Sequence, residues 1–214
     1  MNERIIVPEI LDSLDPGHPD AIRSRRDLRK VDVFLGGSRW ILRTIRHLGM
    51  GSSGRIIELG AGEGLLAGAL AAAFPGVKVV ALDLQSRPPL LPEAVEWRSG
   101  NLFETTKIGS HDVVVGHLIL HHFDRGKLRE LGAMLGRARG MVFSEPFRSA
   151  LALGLAGVAA PLAGRVTRHD MAASIRAGFR RGEIPELMGM DRVVWEIREC
   201  SLWRGVHRVV AWRR

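Results

Sequence analysis

The stretch that most constrains this chain is GRIIELGAGEGLL, Gly54 to Leu66. Arg55 to Leu59 is a short apolar run that ends in an acid-leucine pair, and Gly60, Gly62 and Gly64 follow at every second position. A run of this kind reads as a buried strand, and glycines directly after a strand permit a tight turn with the backbone close to a ligand. A helical pattern then runs from Glu63 to Phe74 and is stopped by Pro75-Gly76, and a second apolar run covers Val77 to Leu82. Strand, glycine turn, helix and strand together predict a β-α-β unit with its ligand at the carboxyl ends of the strands.

The same rhythm continues along the chain. Further strands are expected at Ala94 to Arg98, Asp112 to Val115 and Met141 to Glu145, with a helix that starts at Asp124 as N-cap and ends by Gly136 or Gly140. Continuous apolar strands separated by helices imply a parallel sheet covered on both faces. The end of the chain differs: DRVVWEIREC and GVHRVVAWRR alternate in polarity and are joined only by Ser201 to Gly205, so they pair antiparallel. The expected fold is α/β and doubly wound, a mostly parallel seven-stranded sheet closed by a C-terminal antiparallel hairpin.

Two regions lie outside that core. Residues 1–50 read as a helical N-terminal extension. After the DPGHP break at Asp15 to Pro19, helices are expected over Ala21 to Lys30 and Phe34 to Leu48, with Trp40, Ile41, Thr44, Ile45 and Leu48 as an amphipathic stripe and GMGSSG as the stop. Residues 51–214 form the main domain, carrying a helical insertion at about 147–190 suited to substrate recognition. Within it ALALGLAGVAAPLAG, Ala150 to Gly164, is expected as a buried or pocket-lining helix. A following amphipathic helix would place Met171, Ile175 and Phe179 on one face and Arg176 and Arg180 on another.

Lys and Arg number 31 against 23 Asp and Glu, and the surplus is C-terminal: residues 141–214 carry 12 basic and 7 acidic side chains. Arg165, Arg168, Arg176, Arg180 and Arg181 cluster there, so an anionic partner would meet this part of the chain. Cys200 is the single cysteine, which excludes an internal disulfide and a cysteine-based zinc site and points to a reducing, cytoplasmic setting. No apolar run approaches the ~20 residues of a membrane span, which leaves only peripheral membrane contact open, and the oligomeric state is left open too.

Asp83 ends the second strand, about twenty residues after the glycine turn, where an acid can accept hydrogen bonds from ribose hydroxyls. A nicotinamide or flavin fingerprint, G-x-G-x-x-G, requires a glycine where Leu65 stands, so that match fails. The pattern G-x-G-x-G, with Glu58 two residues ahead of Gly60, resembles motif I of the class I S-adenosylmethionine-dependent methyltransferases. The resemblance covers Arg55 to Glu145, and the terminal hairpin suits that family's sheet. It implies S-adenosyl-L-methionine as cofactor. Glu58 would accept from a water or backbone donor near the methionine ammonium, and the backbone of Gly60, Ala61 and Gly62 would approach the methionyl and ribose parts. Asp83, with Leu84 beside it, would take the ribose. Asn101 stands where the family commonly has an Asp for the adenine amino group, with the Leu102 N–H at the ring.

The fourth strand leads into GHLILHHF, Gly116 to Phe123. Methyltransferases acting on a planar amine carry N/D-P-P-Y/F at this place; SEPF, Ser144 to Phe147, looks similar but follows the fifth strand. Methylation of nucleic-acid amino groups is thereby disfavoured. His117 is expected to border the cofactor, and His121 and His122 are the candidate catalytic bases, since a neutral imidazole can take a proton from a hydroxyl or carbon acid as the methyl moves. The two neighbouring histidines lack an apparent third partner, so no metal is expected. The chain is thus expected to methylate a small, largely apolar acceptor of secondary metabolism, a phenol, quinone or polyketide-like compound, at O or C rather than N. The alternatives are a non-catalytic S-adenosylmethionine-binding module and, with less support, an RNA methyltransferase.

Overall fold

Alternation along β1 (Arg55–Leu59) sets the layering. Ile56 belongs to one apolar cluster and Ile57 and Leu59 to another, and all three are fully buried, so both faces of the sheet are covered. The computed structural model describes residues 3–49, 54–105 and 107–214. Before the sheet come α1 (Ile10–Ser13), α2 (Pro19–Leu35) and α3 (Gly37–His47). After β1 follow α4 (Leu65–Ala73), β2 (Lys78–Asp83), β3 (Val95–Ser99), α5 (Leu102–Thr105), β4 (Val113–His117), α6 (Arg125–Leu135) and β5 (Gly140–Pro146). Then come α7 (Ala150–Ala159), α8 (Arg165–Ala177), α9 (Glu183–Leu187), β6 (Trp195–Leu202) and β7 (Val206–Arg213).

The strands make one seven-stranded sheet in the order β3-β2-β1-β4-β5-β7-β6. β1 to β5 pair in parallel, and β7 runs antiparallel between β5 and β6. The order reverses between β1 and β4, which opens a crevice at their carboxyl ends, the place where such sheets bind ligands. Helices α3 and α4 cover one face, where Ile41, Ile45, Leu66 and Leu70 meet Ile56, Val79, Val113 and Val142. Helices α6 and α9 cover the other, where Leu128, Leu131, Leu135 and Ile184 meet Ile57, Val80, Val114 and Phe143. Helix α6 begins as its sequence requires, with the Asp124 carboxylate accepting the Lys127 N–H at 2.8 Å. Truncating the fully buried Leu131 to Ala would cost about 2–5 kcal/mol.

Several boundaries differ from the sequence reading. Phe34 belongs to α2, because the break falls at Gly36, whose φ of 67° ends one helix and whose carbonyl opens the next. Met50 to Ser53 of the expected stop lie outside the described residues. β6 begins at Trp195, and Val193 is left 80% exposed in the preceding turn. Helix α7 is inverted relative to expectation: Ala152 and Ala156 are buried, whereas Leu151, Leu155 and Val158 face outward. Its small side chains permit close approach, since a side chain on Gly205 would come within 3.2 Å of Ala152. Phe179 does not share a helix face with Ile175, because α8 ends at Ala177 and Phe179 pairs with Phe147 beside the sheet, fully buried.

The N-terminal helices and the 147–190 segment pack on each other through buried polar groups. The Asp27 carboxylate accepts the Gly164 N–H at 3.0 Å and the Thr167 hydroxyl at 3.3 Å. The Asp170 carboxylate caps α1, accepting the N–H groups of Ile10 at 2.8 Å and Leu11 at 3.0 Å. No helix among the described residues is long and apolar enough to cross a membrane.

Candidate active site

The crevice is built first by the turn after β1. Gly60 has φ 63°, and a Cβ there would come within 2.4 Å of the Ile119 side chain, so both its conformation and its packing call for glycine. The Ala61 N–H donates to the Leu82 carbonyl at 3.0 Å, and the Gly62 N–H donates to Asp83 Oδ2 at 2.7 Å. The other Asp83 oxygen accepts the Gln85 N–H at 2.9 Å. The ends of β1 and β2 are thus tied together, and Gly60, Ala61, Gly62 and Asp83 line one rim with Leu84 exposed beside them.

Glu58 lies beneath this turn, 3% exposed, and its Oε2 has no hydrogen-bond partner among the described residues. Burial pushes its carboxyl well above the usual carboxylate range, and the nearby Asp83 adds to that. Asn101 is held close by through the Gly100 N–H, which donates to the Asp83 carbonyl at 2.8 Å. Its side chain caps its own short helix: Oδ1 accepts the Phe103 N–H at 3.1 Å, and Nδ2 donates to Glu104 at 2.9 Å. Leu102 is half-buried against the core.

His117 ends β4, but its ring faces the N-terminal helices. Nδ1 lies 3.3 Å from the Ser144 carbonyl and Nε2 lies 2.9 Å from Asp32 Oδ1. Burial would raise the Asp32 carboxyl, but the hydrogen bond and charge of His117 outweigh it and hold that group far below its ordinary range. The next residue, Leu118, has φ 58°, the one non-glycine in the left-handed region among the described residues. That turn swings Ile119 to His122 toward the carboxyl end of β5.

There Glu145, fully buried, receives them. Its Oε1 accepts the N–H groups of Ile119 at 3.0 Å and Leu120 at 2.9 Å, and its Oε2 lies 2.9 Å from His121 Nδ1. On the other side of the ring, His121 Nε2 lies 3.3 Å from Glu9 Oε1. Burial lowers the His121 pKa, but the hydrogen bonds and charges of Glu145 and Glu9 overcome it and raise the pKa to about 9. His121 is therefore an imidazolium at neutral pH. His122 stacks beside it at 4.2 Å between ring centroids, half-buried, with Nδ1 3.6 Å from Asp12. Burial first, and then the charge of His121, lower the His122 pKa, so this ring is neutral at pH 7.

Both histidines open on a pocket of about 450 Å³ lined by Ile6, Val7, Pro8, Glu9, Ala173 and Ala177. The N-terminal strap forms one wall of it. Arg4 holds that strap down, donating to the Ala177 carbonyl at 2.8 Å and the Phe123 carbonyl at 3.1 Å. The Arg148 guanidinium, buried beneath α9, holds Glu183 with two hydrogen bonds, at 2.5 and 2.9 Å. Sequence reasoning missed Glu9, Asp32, Arg148 and Asp170, whose partners His121, His117, Glu183 and Ile10 each lie at least 35 residues away along the chain. Glu145 carried a signal, an acid at the carboxyl end of the strand expected over Met141 to Glu145, but its neighbours along the chain marked no partner for it. Among the described residues, Glu9, His121 and His122 are also a group able to hold a metal ion, so the expectation that the histidine pair lacks a third partner is corrected by Glu9.

No protein-family model matches the chain. A ubiquinone/menaquinone biosynthesis C-methyltransferase, UbiE, of Syntrophotalea carbinolica is 36% identical over 80 residues, 34% of each chain, so the match spans about a third of that relative. The plantazolicin methyltransferase BpumL, in complex with a monoazolic desmethylPZN analog and SAH, superposes with a TM-score of 0.70 at 11% identity, covering 92% of this chain and 91% of that one. The pyocyanin biosynthetic protein PhzM gives 0.62 at 20% identity, over 97% of this chain but 62% of its own length. The magnesium protoporphyrin IX methyltransferase ChlM of Synechocystis, with bound SAH, gives 0.57 at 16% identity over 83% and 82%. By its strand order, its glycine turn and these likenesses, the chain has the fold of the class I S-adenosylmethionine-dependent methyltransferases.

Proposed function

We propose that the chain transfers a methyl group from S-adenosyl-L-methionine to a small, largely apolar acceptor, at oxygen or carbon. The observation that carries this reading is Glu58, a fully buried carboxyl with an unpartnered oxygen under a glycine turn tied to Asp83. A cationic ligand suits that oxygen, whereas a pyrophosphate would be repelled by it. A Cβ built on Gly62 meets nothing within 4 Å, so there is also room at the turn for a ligand to lie against the backbone. Glu58, Gly60, Ala61, Gly62 and Asp83 would hold the cofactor, with Leu84, Asn101 and Leu102 toward the base and His117 behind the strand end.

When bound, the cofactor supplies an activated methyl group on a sulfonium. The protein's part is to place the acceptor and exclude water. The pocket of about 450 Å³ is of small-molecule size, and its apolar walls come from Ile6, Val7, Pro8, Ala173 and Ala177. His121, charged and clamped between Glu145 and Glu9, orients the site. His122, neutral and half-buried, is the group suited to take the acceptor's proton. UbiE, PhzM and BpumL, by their names, serve quinone, pyocyanin and plantazolicin chemistry, which supports an acceptor of this kind.

Calorimetry with S-adenosylmethionine, S-adenosylhomocysteine and NADH tests the cofactor; binding of NADH alone would overturn the assignment. Transfer of labelled methyl to a panel of phenols, quinones and RNA tests the acceptor. Transfer to RNA alone would overturn the small-molecule reading, and cofactor binding without transfer would favour a binding module.

A further inference from the structure

The pocket beside the histidine turn brings together groups from two distant parts of the chain. Glu9 comes from the N-terminal strap, and His121 and His122 come from the turn after β4. One donor atom from each lies within 4.8 Å of the other two. The 3.3 Å between His121 Nε2 and Glu9 Oε1 is long for a charge-assisted hydrogen bond. It is close to the roughly 3.4 Å edge expected between two donors, each about 2.0–2.1 Å from one tetrahedral zinc ion.

The surroundings of His121 add a second argument. Its other ring nitrogen, Nδ1, lies 2.9 Å from the fully buried Glu145 carboxylate. A ligating histidine characteristically donates its second N–H to such a carboxylate, which fixes the tautomer and aims the free lone pair. Here Nε2 faces Glu9 and the pocket, and a metal ion bound there would displace the proton that Nε2 otherwise carries. Asp12 Oδ2, 3.6 Å from His122 Nδ1, offers a further oxygen at the rim.

We propose that Glu9, His121 and His122 form a binding site for a divalent cation of the zinc class, with the remaining coordination position open to the pocket. Two imidazoles and one carboxylate favour zinc, cobalt or nickel over magnesium and calcium, which prefer oxygen donors throughout. The ion would pin the N-terminal strap to the histidine turn. It would also occupy the lone pair that His122 otherwise offers to a proton, so metal and base roles exclude one another. The inference rests on this pocket and not on methyl transfer.

The test uses the tag-free full-length chain, stripped with EDTA and dialysed against Zn²⁺ or Co²⁺. One equivalent of either metal should be retained, and the cobalt form should show the intense visible absorption of four-coordinate nitrogen and oxygen ligation. Glu9→Gln and His122→Ala should each weaken retention at least about ten-fold. Each sample is checked for folding by circular dichroism and is also titrated with S-adenosylhomocysteine, to separate the two proposals. Metal uptake without that binding would overturn the methyltransferase reading and leave the metal site. Absence of stoichiometric uptake by the folded wild type, or uptake untouched by both substitutions, would overturn the metal site.

Discussion

His121 Nδ1 lies 2.9 Å from Glu145 Oε2, with both side chains almost wholly out of water. The same carboxylate gathers the N–H groups of Ile119 and Leu120, so one buried acid shapes the whole turn after β4. Glu145→Gln keeps the volume but removes the charge and leaves the His121 imidazolium with Glu9 alone. Loss of one partner from a buried pair costs about 3–5 kcal/mol. Chemical denaturation should show a loss of that order, and the His121 proton resonance should titrate well below its wild-type midpoint. A wild-type titration curve in the variant would mean that Glu145 does not set the charge of His121.

The raised pKa of His121 gives a signed pH dependence. Its stabilising contribution is fully present below the unfolded value of about 6.5 and is lost as pH rises through about 9. Glu145 and Glu9 are lowered, since the hydrogen bond from His121 outweighs their burial. Their contribution is present above about 4.5 and is lost as pH falls. The gap in stability between wild type and His121→Asn should therefore be widest between about pH 5 and 6.5 and shrink by pH 10, by on the order of 3 kcal/mol. Thermal denaturation across that range checks it; a gap that widens with pH would contradict the charged state assigned to His121.

Glu58 makes a prediction of a different kind. Burial raises its carboxyl well above the usual range, and a sulfonium or ammonium placed beside it would favour ionisation. Binding of S-adenosylmethionine near pH 6 should release a proton, which calorimetry in buffers of different ionisation enthalpy will detect. In Glu58→Gln the release should disappear and affinity should fall about ten-fold, the effect of losing roughly 1.4 kcal/mol. Release that persists in the variant would assign it to another group.

What the sequence made legible follows the range of the interactions. Strands and glycine turn were readable because period, punctuation and chain order are local: Arg55 to Leu59 was read to the residue, and Asp124 was read as the cap it is. The pairing of Gly62 with Asp83 was within reach, since a β-α-β unit fixes that spacing. The partners of His121 were not, because Glu9 is 112 residues away and nothing in its neighbourhood marks it. Helix α7 misled for a related reason: an all-apolar stretch carries no moment to say which side is buried, and the choice fell to close packing at Ala152.

His122 is the test of proton removal. It is neutral near pH 7 because burial and the positive His121 ring both resist its protonation. With an acceptor that must lose a proton, kcat/KM should fall as pH drops through the His122 pKa. His122→Ala should lower it about 10²-fold and remove that acid limb. Turnover unchanged in rate and in pH profile would show that positioning suffices and that no base is used.

The last prediction concerns the strap that walls the pocket. Asp170 accepts from Ile10 and Leu11 with its two oxygens, at 2.8 and 3.0 Å, and it is 4% exposed. These bonds fix the two residues that follow Glu9, while Arg4 anchors the other end of the strap to α8 and the histidine turn. In Asp170→Asn one oxygen becomes a donor facing an N–H, so one bond is lost and a repulsive contact replaces it, for about 1–3 kcal/mol. The strap should open locally, and amide exchange at Ile10 and Leu11 should accelerate about ten-fold or more. The glycine turn and Asp83 lie on separate elements and do not depend on it, so affinity for S-adenosylhomocysteine should hold while KM for the acceptor rises. A variant that lost both affinities together would show instead that the strap supports the whole crevice, cofactor rim included.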